Sequence, residues 1–182
     1  MVTVLAALAA FAGVEGSAAA AAGWRDGESA VTSAAAALDW NATAVDAVRA
    51  ARVVDPPGTP ARPIYQTEGL LYMSNVQAAV YDAVMKISPR YEPYHRFHAA
   101  SSRHASLPAA VIAASYDTLV YYLGDPGGVL AAKYAAAIAA LPNDRATARG
   151  IAVGQAAAAD LEELREHDGL DAPVSTAYGT GP

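Results

Sequence analysis

No cysteine occurs in the 182 residues, which excludes disulfide staples, thiolate metal sites and a cysteine nucleophile. Lysine is nearly missing too, with Lys86 and Lys133 the only two. Charged residues make up 16% of the chain, the net charge is −6 and no basic run exists, so no nucleic-acid partner is expected. No apolar run is long enough to cross a bilayer well, so no stable membrane span is expected. Two-residue alternation is absent as well, which argues against a half-buried sheet. What the chain does have is alanine, the largest part of a 54% hydrophobic fraction. Alanine-rich, strand-poor sequence predicts an all-α domain with closely packed helices, about five of them in a bundle.

Taken in order, residues 1–22 read as a signal peptide. Val2 to Val14 is an apolar run, and Ser17 with alanines 18 to 22 offers several A-x-A cleavage sites. The basic n-region is missing, since the first positive charge is Arg25. Export to the periplasm or the medium is the expectation. Residues 23–38 read as a flexible lead-in, 39–169 as the helical domain and 170–182 as a linker-like tail. Asp39 is a candidate N-cap for a first helix running to about Val54, stopped by Asp55-Pro56-Pro57-Gly58. A second helix is predicted over Gln66 to Ile87, where Leu70, Met73, Val76, Val80, Ala83, Val84 and Ile87 share one face. Ser88-Pro89 ends it. Ser106 caps a third helix with Pro108 in its first turn. A fourth carries Leu130, Tyr134, Ile138 and Leu141, and a fifth runs from Asp144 to about His167.

The words within this frame resemble the N-terminal helical half of vanadium-dependent haloperoxidases, which belong with the type 2 phosphatidic acid phosphatase (PAP2) superfamily. They are Asp39-Trp40-Asn41, then AAVYDAV with Tyr91-x-Pro93-Tyr94, then Gly150-Ile-Ala-Val-Gly154 and Leu164-Arg165-x-x-Asp168-Gly169. One departure is Gln77, where many relatives carry histidine. The resemblance implies half of a larger α-helical fold, completed by a C-terminal catalytic half as partner. It also implies vanadate as cofactor of the whole enzyme, and halide oxidation or phosphate ester hydrolysis as its chemistry. In that family the oxyanion is held by K-x6-R-P, S-G-H and R-x5-H. None of these words occurs here, so no catalytic, cofactor or metal residue carries over, and this chain alone is expected to be inactive. The other readings are a self-standing helical interaction module, and the corresponding part of a PAP2-type acid phosphatase. Self-association through uncovered apolar surface is a further expectation.

Residue patterns add one weak site. His95, Arg96, His98, Arg103 and His104 share a loop that suits an anion better than zinc, because no carboxylate stands at ligand spacing beside the imidazoles. Asp82 and Lys86, one turn apart, read as a surface ion pair. Glu162, Glu163, Glu166 and Asp168 read as a solvated helix end. Gly150-x-x-x-Gly154 reads as a place where another helix comes close. Ser17, Ser74 and Ser115 have no triad context, and no glycine loop cradles phosphate.

Export gives the first testable expectation. Mass spectrometry of the mature protein from its own host should find a new N-terminus between Ala20 and Gly23; an intact Met1 would refute it.

Overall fold

Helices dominate the computed structural model, which describes residues 27–54, 58, 60–99, 102–166 and 168–169, with side chains described from 33 onward. They are α1 (Gly27–Ala50), α2 (Gln66–Ile87), α3 (Leu107–Leu123), α4 (Val129–Ala139) and α5 (Arg145–Arg165). The fold is all-α. Two short strands, β1 (Arg52–Val53) and β2 (Arg62–Pro63), pair antiparallel between α1 and α2.

α3 lies at the centre, packed against α1, α2, α4 and α5. Its sequence explains this. Asp117 is the only charged residue in LPAAVIAASYDTLVYYL, and every residue from Pro108 to Ser115 is buried. A helix that is apolar all round finds a stable place only inside other helices. Its start is fixed by Pro108 in the first turn and by Ser106, whose N–H donates to the carbonyl of Ala146 at 2.9 Å. That bond also ties the start of α3 to the start of α5. Asp144 caps α5, its carboxylate accepting from the N–H of Thr147 at 2.8 Å.

α5 presses on α3 through its two glycines. A Cβ on Gly150 would overlap the Ser106 carbonyl oxygen, and one on Gly154 would overlap that of Ala110. The alanines opposite, Ala109 and Ala113, would each be only 2.8 Å away. The expected close approach at these glycines is therefore present, with backbone against backbone. The core divides around this contact. One part joins Val80, Ala83, Val111, Val153 and Leu161 between α2, α3 and α5. The other joins Trp40, Ala44, Val76, Ile112, Leu119 and Leu130 between α1, α2, α3 and α4.

Several sequence expectations need correction. α1 begins at Gly27, not at Asp39, so the lead-in expected over 23–38 is helical from 27 onward. The alanines at 34 to 37 propagate the helix, and Ala36 and Ala37 pack on the core. Asp39 is thus not a cap. It sits inside α1 and pairs with Lys133 of α4 at 2.8 Å. α1 stops at Ala50, where Arg52 folds back to donate to the carbonyls of Arg49, Ala50 and Ala51 at 2.8 to 3.2 Å. α2 has the expected bounds and most of the expected face, with Val76, Val80 and Ala83 buried and Met73, Val84 and Ile87 packed on the core, but the buried side is wider than expected and leaves out Leu70. Leu70 is 61% exposed, while Asn75 and Asp82 are buried. The starting turn of α2 is held by Glu68, which accepts two bonds from Arg62 and one from the N–H of Tyr65. The segments 1–22 and 170–182 lie outside the described residues. No helix among the described residues is long and apolar enough to cross a membrane.

The α3–α5 contact yields a stability prediction. Gly154→Ala forces a methyl into the Ala110 carbonyl and should cost about 3 kcal/mol in urea unfolding. Ala152→Gly, on the exposed side of the same helix, should cost about 1 kcal/mol through helix propensity alone.

Candidate functional site

The segment between α2 and α3 is clasped by side chains of α2 and α5. Pro89 and Pro93 cannot donate, so the turn around them depends on outside partners for its remaining backbone groups. α2 supplies three. The Tyr81 hydroxyl donates to the carbonyl of Glu92 at 2.8 Å. The two oxygens of Asp82 accept from the N–H groups of Tyr94 and His95 at 2.6 and 2.8 Å. Lys86 donates to the carbonyl of Phe97 at 2.8 Å, with its ammonium 5.2 Å from the Phe97 ring centre. Phe97 itself is 5% exposed and plugs the core. α5 supplies the fourth tie, Asp160, whose carboxylate meets His95 Nδ1 at 2.5 Å.

Asp82 and Lys86 therefore do not form the surface ion pair that their spacing suggests. Both sit on the side of α2 that faces the loop, and each finds a backbone partner there. An amide N–H held against a buried carboxylate is a stronger interaction than a solvated ion pair. Burial pushes the Asp82 carboxyl above its usual range, against the pull of its two N–H donors and of His95. The Asp160 carboxylate, by hydrogen bond and by charge, raises the His95 imidazole.

Between this loop and the end of α2 lies a cleft of about 820 Å³. His95, Arg96 and His98 of the expected anion site line it, together with Lys86, Arg90 and the apolar side chains Met85, Tyr91, Pro93 and Phe97. Arg103 and His104 are not among its lining residues. The carbonyl of Arg103 accepts from Arg149 at 3.0 Å, and His104 takes a left-handed turn at φ 58°. Arg96 pairs with Glu92 at 2.7 Å in solvent. Among the described residues no group of three or more histidines and carboxylates is placed to hold a metal ion.

Vanadate, the cofactor implied by the resemblance, does not fit these side chains. A multiply charged oxyanion needs several fixed cationic donors at once. Here Lys86 is held by the Phe97 carbonyl and His95 by Asp160, while Arg96 sits in a solvent-exposed pair with Glu92, so the cleft holds no set of several fixed donors.

A second arrangement was not legible in the chain. Asp117 of α3 and Glu162 of α5 line one groove of about 320 Å³ with Val120, Tyr121, Gln155 and Ala159. Neither carboxylate has a hydrogen-bond or ion-pair partner among the described residues. Burial, then the Asp117 charge, raises Glu162 to about 7, and burial raises Asp117. Of the acidic helix end expected to be solvated, Glu163, Glu166 and Asp168 are exposed, and Asp168 pairs with Arg165 at 2.9 Å. Glu162 is half-buried because it stands one turn after Ala158, which is buried in the core.

No family model matches the chain, and neither a curated protein nor a solved structure matches it.

The Glu162 carboxyl makes stability depend on pH. Its folded value near 7 lies above the ordinary 4.5. Its contribution is therefore fully present below pH 4.5 and is lost as pH rises through 7. Glu162→Gln should leave urea stability unchanged at pH 4.5. Above neutrality the variant should gain about 1 kcal/mol, a figure reduced from the full linkage because the group is partly solvated. Equal pH slopes for the two proteins would refute this.

Proposed function

We propose that this chain is the N-terminal helical part of an exported haloperoxidase-like protein of the PAP2 superfamily, a scaffold whose catalytic oxyanion site belongs to a C-terminal half. The observation that carries the reading is the clasp between the two most characteristic words. Asp82, in AAVYDAV, accepts the N–H of Tyr94, the last residue of Tyr-x-Pro-Tyr, while Tyr81 of the same word holds Glu92. In this chain the two words form one physical unit. The other words also occupy packing positions. Trp40 fills the core, Gly150 and Gly154 seat α5 on α3, and Arg165 pairs with Asp168. At the departing position, Gln77 donates to Asn41 of the upstream word at 3.1 Å, so α1 and α2 are bridged without a histidine.

A second reading, a self-standing helical interaction module, is favoured by the closure of the core. Trp40, Val111, Leu119, Val153 and Leu161 are each no more than 2% exposed within this chain alone.

Activity separates the two. This chain should show no peroxide-dependent bromination of a dye and no phosphomonoester hydrolysis, with or without vanadate. A version extended by a half carrying K-x6-R-P and S-G-H should gain one of these activities. Vanadate-dependent turnover by the 182 residues alone would refute the proposal, as would an extended protein inert in both assays.

A further inference from the structure

The cleft beside α2 has features that the scaffold role does not use. Its volume of about 820 Å³ falls in the range of small-molecule sites, roughly 300–1,000 Å³. Its walls mix Met85, Tyr91, Pro93 and Phe97 with charged groups. The local charge is opposite in sign to that of the whole chain, which is −6. Its lining carries three permanent cations, Lys86, Arg90 and Arg96, against two carboxylates, Asp82 and Glu92. One positive charge remains in excess. That balance suits one negative charge and is too small for a phosphate-like dianion.

We propose that this cleft binds a singly charged amphipathic organic anion, with its apolar body among Met85, Tyr91 and Pro93 and its headgroup at Arg96 and His98. Arg96 can turn to such a headgroup at little cost, because its pair with Glu92 is 79% and 82% exposed and exposed pairs are weak. The floor does not have to move. Asp82, Lys86 and Phe97 hold the loop from below, and His95 is fixed by Asp160, so the pocket is formed before a ligand arrives. The site is independent of the missing catalytic words, and its failure would leave the scaffold proposal standing.

The test uses the full 182-residue chain, 1-naphthalenesulfonate as probe and naphthalenemethanol as its neutral counterpart, followed through the histidine ring protons by NMR. The His95 and His98 signals should shift saturably with the sulfonate while that of His104 stays in place, and the neutral compound should bind at least about tenfold more weakly. Arg96→Ala should weaken binding by about fivefold, and Glu92→Gln, which releases Arg96, should tighten it by about twofold. Both positions are exposed, and circular dichroism verifies that the variants remain folded. Equal affinity for the neutral compound would reduce the cleft to an apolar patch and overturn the proposal. Unchanged affinity in both variants, or no saturation with the sulfonate, would overturn it equally.

Discussion

Two glycines on one face of α5 allow it to lie directly on the backbone of α3, and the rest of the domain is arranged around that approach. With any side chain at Gly150 or Gly154, α5 would have to withdraw from the carbonyls of Ser106 and Ala110. Close packing in protein interiors leaves little room for such a shift. The short distance suits a core in which alanine is the commonest residue, since small side chains fill space only where helices nearly touch. It also sets the height at which Val153, Ala157 and Leu161 meet the α2 and α3 side chains in the core.

The same contact fixes the candidate site. Asp160 lies six residues beyond Gly154 on α5, and its reach to His95 depends on how α5 sits against α2 and α3. From the other side, Tyr81, Asp82 and Lys86 hold the loop by its backbone. The loop is rich in proline and arginine, and it is anchored by donors and acceptors that come from helices. A binding surface on such a loop is preformed, and the cost of ordering it is met in folding. The Asp117–Glu162 groove is a by-product of the same packing. Where α5 passes α3, two carboxylates separated by 45 residues in sequence come to share a poorly solvated space, and their raised proton affinity follows.

Much of this was legible in the chain, because the signals are local. Pro89 and Ser88 end α2, Ser106 with Pro108 starts α3, Asp144 starts α5, and each boundary lies where those residues place it. The all-α class follows from alanine and from missing alternation, and the glycine pair was visible as a helix contact. Tertiary structure decided the rest. Whether Asp82 pairs with Lys86 or with a loop depends on backbone donors twelve and thirteen residues away. Likewise the partner of His95 lies 65 residues away. Asp39 looked like a cap until a longer alanine helix enclosed it and Lys133 of α4 came within reach. Leu70 was left in solvent although it shares a face with Val76 and Val80, because α1, α3 and α5 cover α2 elsewhere along its length. Periodicity tells which positions share a face and is silent about what will cover it, since that depends on contacts between segments that the chain separates.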